Sequence, residues 1–424
     1  MNTIALRLYG ADDIRLETFT LPEVGADEVL MRVVSDTVCA STYKAVKLGT
    51  GHKRVPKNVA ENPIIIGHEM CGEVISAGKN VADRWKAGDR VVIQPALKLE
   101  NGYDPGYSYA TIGGNATYCV VPSVVLERDC MVPFEGEGYY KGSLVESLGC
   151  CLRGFKGMYH TDPETYVRTD GIRKGGKVAI LGGAGPMGLG CVELALGYGG
   201  ASQVVVTDIS ASRLEEAKRV LPPEKAAAKG ASLTYVDTSD KEDAVAFLRE
   251  ISNGGFDDVL VMVPVAGLLA MAEAICCEDG CINYFAGSAD HGLMGSINLY
   301  RVHYDGIHML GTAGSIPADT REIIHMMADG VIDPSAMISH ICGLSAAKES
   351  VYGMAKSEGL KKVCYSHIDL PLVAIKDFAK LGETDPLFRA LAEITERHGG
   401  LWSVEAENYL LAHAPKMQEG EIIA

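Results

Sequence analysis

Aromatic residues are scarce in this chain: Trp 2 and Phe 8 in 424 residues, 7% aromatic in all. Long apolar runs are missing. No window reaches about 18 uninterrupted apolar residues, which excludes a membrane-spanning helix. The opening MNTIALRLYGADDIRLETF has no apolar core of signal-peptide length, because Arg7, Asp12 and Asp13 arrive early. A cytoplasmic location is therefore expected. Positive charge is in the minority, Lys+Arg 39 against Asp+Glu 55, for a net charge of −16. That balance argues against nucleic acid or an anionic membrane as the main partner. Between Cys71 and Cys119 there is no cysteine at all.

Elsewhere cysteine is plentiful, with 12 in the chain. In a reducing compartment these are metal ligands or core residues rather than disulfides. The adjacent pairs Cys150-Cys151 and Cys276-Cys277 lie in apolar runs and read as core thiols. Glycine is also abundant, 48 residues, about 11% against a usual value of roughly 7%. Such a content fits many turns and close backbone approaches to a ligand. The length predicts two or three domains, each able to bury a core.

The first third reads as strands over Ile4–Leu8, Glu28–Val34, Gly72–Ala77 and Arg90–Gln94, cut by Gly, Pro and Asp, which predicts an antiparallel, barrel-like domain. The middle changes period. Lys177–Leu181 is an unbroken apolar run, as a buried parallel strand should be. Helical and strand patterns then alternate to about Phe285, which predicts βαβ units and a doubly wound sheet. A helix is expected over Arg321–Gly330. Residues 371–424 read as a helical C-terminal extension for packing or oligomer contact, with one helix starting at Asp385-Pro386 and a second capped by Ser403.

Gly183-Ala184-Gly185-Pro186-Met187-Gly188 is G-x-G-x-x-G between a buried strand and a helix, the context that gives the motif meaning. One glycine makes the turn, one admits a pyrophosphate, and one packs helix on strand. The helix N-terminus presents free N–H groups to the anion. Asp208 ends the next strand, 20 residues after Gly188, where an acid accepts from both ribose hydroxyls and repels a 2′-phosphate. NAD(H) is thus favoured over NADP(H), although Arg213 close behind could meet a phosphate.

Cys39, His68-Glu69 and Glu146 offer a thiolate, an imidazole and carboxylates, a donor set suited to zinc with one position open. Only the fold can bring such distant residues together. The order of segments is more specific. The strands through Cys39, Pro63-Ile64-Ile65-Ile66-Gly67-His68-Glu69, Ala87-Gly88-Asp89-Arg90-Val91, Gly113-Gly114-Asn115-Ala116-Thr117-Tyr118-Cys119, Leu144-Val145-Glu146-Ser147-Leu148 and the nucleotide fingerprint together resemble the zinc-dependent medium-chain dehydrogenases, the family of alcohol, sorbitol and threonine dehydrogenases. The resemblance covers residues 1 to about 368. It implies a GroES-like catalytic domain (1–157 and 316–370) interrupted by a Rossmann NAD-binding domain (158–315). It also implies zinc ligation by Cys39 and His68, with Glu69 a third ligand in the polyol branch. Glu146 binds the metal or its water, Ser41 is the relay hydroxyl, and the loop at Val263-Pro264-Val265 faces the nicotinamide. The family is usually dimeric or tetrameric, so a homo-oligomer is expected.

Three departures stand out. The empty stretch from Cys71 to Cys119 leaves no four-cysteine structural zinc lobe. Thr42 stands where many members have the Asp that orients the metal-site His. Lys44 stands where some alcohol dehydrogenases have a relay His. From Ser41 to Ala60 the acidic chain turns basic, with Lys44, Lys47, Lys53, Arg54 and Lys57 and no acid among them. Lys44 and Lys47 are candidates to hold a substrate phosphate, the alternative being a solvated basic loop. The Leu-Tyr-Gly opening, Asp104-Pro105-Gly106-Tyr107-Ser108-Tyr109 and Asn283-Tyr284-Phe285-Ala286-Gly287 narrow the resemblance to the L-sorbose-1-phosphate reductases. This implies reduction of a ketose phosphate to glucitol 6-phosphate. An unphosphorylated polyol, as for sorbitol dehydrogenase, is the alternative. A zinc-free quinone-type reductase and a non-enzymatic NAD-binding protein are the remaining readings.

Overall fold

The computed structural model describes residues 1–288, 290–356 and 359–418. Two compact units emerge, one from Met1–Glu146, Ile316–Ala328 and the chain from Ile338 onward, the other from Ser147–Ser315 and Asp329–Met337. Among the described residues no helix is long and apolar enough to cross a membrane.

The first unit is built around the strand Val29–Thr37, whose side chains are buried on both faces except Arg32. It pairs antiparallel with Met70–Ala77, Tyr118–Val121 and Lys361–Tyr365. The sheet runs on through Arg90–Ile93 and Met131–Pro133 on one side and Ile338–Gly343 and Val373–Ala374 on the other. Ile338–Gly343 and Lys361–Tyr365 run parallel, a feature the sequence pattern did not foretell. The hairpin Asn2–Gly10/Asp13–Thr20 joins Ile64–Ile65 and packs Ile4, Leu6, Leu8 and Ile14 against Val38, Val46 and Val55. Two strand ends meet here. Asp36 lies opposite Met70, and the Thr37 N–H donates to the Glu69 carbonyl at 3.1 Å. Residues that follow one strand and precede the other are thereby brought side by side.

The second unit holds a six-stranded, all-parallel sheet in the order Ser232–Asp237, Gln203–Asp208, Lys177–Leu181, Phe256–Val261, Cys276–Tyr284, His308–Leu310. The order reverses direction between Lys177–Leu181 and Phe256–Val261, the crevice where such sheets bind dinucleotides. Each cysteine pair proves half core. Cys151 and Cys276 are buried, whereas Cys150 and Cys277 are only partly so. Neighbouring residues face opposite sides of a strand and diverge by about 100° on a helix, and in each of these pairs one member points away from the core.

The helices expected near the C-terminus are Pro386–Arg397, capped by the Asp385 carboxylate on the Leu387 N–H, and Val404–His413, capped by Ser403 on the Ala406 N–H. Their side chains enter the first unit's core. Trp402 donates from Nε1 to the Tyr365 hydroxyl at 2.7 Å. Glu407, fully buried, accepts from the backbone N–H groups of Tyr139 and Tyr140, which open the helix Tyr139–Gly157, and from the Tyr365 hydroxyl. Burial pushes its carboxyl up to about 7.

Candidate active site

Cys39 ends the extended segment after Val29–Thr37 and precedes the helix Ala40–Leu48. His68-Glu69 sits between Ile64–Ile65 and Met70–Ala77. The turn requires Gly67 at φ +94°, where a Cβ would lie 2.2 Å from Asn115 Nδ2 and 2.6 Å from Asp36 Oδ2. With that approach open, Asp36 Oδ1 accepts the Glu69 N–H at 3.0 Å and Asp36 Oδ2 accepts Asn115 Nδ2 at 2.5 Å. Burial pushes the Asp36 carboxyl up to about 7.

One ligand atom each from Cys39, His68 and Glu69 lies within 4.8 Å of the others. A sulfur, an imidazole nitrogen and a carboxylate oxygen are the donors zinc takes. His68 is oriented to be a ligand, since its Nδ1 lies 3.1 Å from Thr42 Oγ1, which leaves Nε2 for a metal. Thr42 thus provides the contact for which other chains use an acid. Cys39 is half-buried. Burial and the Glu69 charge push its thiol up to about 12, so a cation is needed to hold the thiolate.

Glu69 is 1% exposed. Lys361 Nζ reaches its Oε1 at 2.6 Å and its Oε2 at 2.5 Å, and Thr37 Oγ1 also donates to Oε2. Burial alone would raise this carboxyl, but Lys361, His68 and Thr37 together hold it below its usual value. Glu146, half-buried on the helix Tyr139–Gly157, lies outside the three-residue cluster, yet its charge is felt at Cys39, Tyr107 and Lys361.

Ser41 Oγ donates to Cys39 Sγ at 3.0 Å and lies 3.4 Å from His68 Nε2 and 2.7 Å from the Tyr107 hydroxyl. That hydroxyl is 3.1 Å from His68 Nε2. Burial first, then the Cys39 charge, raises the Tyr107 phenol well above its usual value and keeps it a donor. Its ring contacts His68 at 4.6 Å and stacks on His52 at 5.8 Å, and the Arg54 guanidinium lies 5.0 Å from its centre. Arg54 is fixed by Asp104 at 2.7 Å. Burial, with the charges of Arg54, Lys53 and Lys44, pushes His52 down to about 4.

Lys47 does not join them. Its ammonium, 2.7 Å from the Asp12 carboxylate, lies on the exposed side of its helix. Seven residues, about two turns, separate it from Ala40 at the Cys39 end of the helix. Sequence patterns did not single out Lys361, Tyr107 or Thr37 as site residues. For Lys361 a signal existed, since a lysine pair opens the otherwise apolar strand Lys361–Tyr365 and both are buried.

In the second unit the Gly-rich turn joins Lys177–Leu181 to the helix Pro186–Gly197, which begins with Pro at its first position and no side-chain cap. A Cβ on Gly188 would lie 2.0 Å from the Gly183 carbonyl, the close packing for which the third glycine is needed, whereas one on Gly185 would meet nothing within 4 Å. Val263 lies against Gly182, whose added Cβ would sit 2.6 Å from a Val263 methyl. Asp208 ends its strand, with Oδ1 accepting the N–H groups of Ile209 and Ser210. Arg213 follows on the first turn of Ala211–Val220. The turn, Asp208 and Val263 thus occupy the carboxyl ends of three adjacent strands.

Residues 25–129 match the alcohol dehydrogenase GroES-like domain, and residues 186–329 match the zinc-binding dehydrogenase family. The chain is 43% identical over 411 residues to mannitol-1-phosphate 5-dehydrogenase of Aliivibrio fischeri, covering 96% of this chain and 97% of that one. It is 42% identical over 415 residues to L-sorbose 1-phosphate reductase of Klebsiella pneumoniae, covering 97% and 98%. Among solved structures, 2R,3R-butanediol dehydrogenase from Bacillus subtilis superposes with a TM-score of 0.71 at 22% identity, covering 86% of this chain and 99% of that one.

Proposed function

Because the chain belongs to the zinc-dependent medium-chain dehydrogenases, we propose that it transfers hydride between NAD(H) and a sugar or polyol phosphate, reducing L-sorbose 1-phosphate to glucitol 6-phosphate. The observation that carries the phosphate assignment is the continuity from His68 through the Tyr107 ring to Arg54, with the charges of Lys44 and Lys53 felt at His52, which stacks on the same ring. Metal-type donors and a basic group thereby border one side chain. A ketose phosphate presents a carbonyl to the one and a dianion to the other.

One zinc would be held by Cys39, His68 and Glu69 and would supply Lewis-acid polarisation of the substrate oxygen. Glu146 orients water or substrate on the open side. Lys361 keeps Glu69 ionised. Ser41 passes the proton that the product alcohol gains. Gly183, Gly185, Pro186, Met187 and Gly188 cradle the pyrophosphate, Asp208 accepts from the ribose hydroxyls, and Val263 borders the nicotinamide. NAD(H) is the preferred cofactor. The protein is a homo-oligomer that associates through the edge strand His308–Leu310, around which Leu299, Tyr300, Tyr304 and Met309 stand exposed.

The test is an NADH-oxidation screen over L-sorbose 1-phosphate, fructose 6-phosphate and the two unphosphorylated sugars. The expected outcome is a kcat/KM at least about 100-fold higher with a phosphate, or about 3 kcal/mol, the order of one or two charge-assisted hydrogen bonds. Equal rates with and without phosphate would favour a sorbitol-dehydrogenase-like activity. Preference for fructose 6-phosphate would move the reacting carbon away from the phosphate. Cys39→Ser should lose zinc and turnover yet still bind NADH.

A further inference from the structure

Four groups crowd the open side of His68: its own Nε2, Cys39 Sγ, Ser41 Oγ and the Tyr107 hydroxyl. The phenol has one proton and two acceptors in reach, Ser41 Oγ at 2.7 Å and His68 Nε2 at 3.1 Å. A metal on His68 takes the Nε2 lone pair and leaves Ser41 as the acceptor. Ser41 in turn donates to Cys39 Sγ at 3.0 Å. The result is a directed chain, Tyr107 O–H to Ser41 O–H to the sulfur. Each bond in such a chain polarises the next.

We propose that Tyr107 is a positioning residue for hydride transfer: by donating to the Ser41 oxygen it keeps the Ser41 proton pointing outward, to the Cys39 sulfur while the site rests and to the substrate oxygen in turnover, and so tempers the donor strength of the sulfur. The surroundings of the ring suit this role. His52 stacks on it, Arg54 lies over it, and Arg54 is itself anchored on Asp104, so the phenol has little freedom to swing away. Residues recognising the far end of the substrate would then set the geometry at its reacting oxygen.

The inference rests on the metal assignment of Cys39 and His68, and the test separates the two. Tyr107→Phe keeps the ring and deletes only the hydroxyl. Wild type, Tyr107→Phe, Ser41→Ala and the double variant are compared for zinc content, for kcat and KM, and for the sulfur-to-metal charge-transfer band after cobalt(II) substitution. The expected result is unchanged zinc content and KM in Tyr107→Phe with kcat lower by about 10- to 100-fold, the scale of a misoriented reacting group. The cobalt band should move to lower energy, because a sulfur that accepts a weaker hydrogen bond donates more strongly. The double variant should be no slower than Ser41→Ala. Full zinc with wild-type kcat and an unmoved band overturns the Tyr107 role alone, as does a double variant in which both losses multiply. A wild-type enzyme that holds no zinc overturns the metal assignment and this inference together.

Discussion

Lys361→Met offers the sharpest test of how the site is held. The side chains of Lys361 and Glu69 are 4% and 1% exposed, and the ammonium lies within 2.6 Å of both carboxylate oxygens. At an effective dielectric of about 20, charges about 2.6 Å apart attract by about 6 kcal/mol. Methionine preserves most of the apolar stem, and Thr37 still donates to the carboxylate, so the net loss should be about 3–5 kcal/mol, the scale of a buried pair broken from one side. The assay is urea unfolding of the chelator-treated protein, followed by a probe in the first unit. The sign with pH follows from Glu69. In wild type its depressed carboxyl contributes stability that is present above the unfolded value of about 4.3 and lost only as pH falls below it. Without Lys361, burial raises the carboxyl, so the penalty is full above the raised value and fades as pH falls toward about 4.3. The gap between variant and wild type should therefore narrow from pH 8 to pH 5. Glu69→Gln in the same background should recover most of the loss, because no charge is then left alone. A loss under about 1 kcal/mol at pH 8, or a gap that does not change with pH, would refute the reasoning.

Thr42→Val should lower zinc affinity by about 10- to 100-fold in a chelator competition, and Thr42→Ser should restore it, because His68 Nδ1 is 3.1 Å from the Thr42 hydroxyl. Asp208→Ala should weaken NADH binding by about 10-fold or more and NADPH binding less; equal losses by fluorescence titration would argue against the ribose role. Glu407, raised to about 7, contributes stability that is complete below about 4.3 and lost as pH rises through 7. Glu407→Gln should flatten that slope in urea titrations at stepped pH, and an unchanged slope would count against the assignment.

Most strands could be read from the sequence because period and context agreed. Lys177–Leu181, the glycines and Asp208 lie close in sequence and depend on local rules, so each fell where it was expected. The metal-type donors were legible as residues, although their meeting depends on a strand register that no spacing encodes. Lys361 was hidden for a stronger reason. It lies 292 positions from Glu69, and only the antiparallel pairing of Lys361–Tyr365 with Val29–Thr37 brings it into place. Tyr107 sits in a loop of turn residues, where composition predicts exposure, yet it is 3% exposed because His52 and Arg54 cover it. The partner of Lys47, Asp12, was not legible either: charge clustering along a segment does not say which face of a helix each charge will occupy.

The Glu407 carboxylate closes the open end of the helix Tyr139–Gly157, the helix that carries Glu146. Residues 385–413 are therefore a dowel in the first unit. A chimera that took a shorter tail would leave two backbone N–H groups without their acceptor and the Tyr365 hydroxyl without Trp402. The start of one helix and the carboxylate that closes it are thus tied together across 268 positions of sequence.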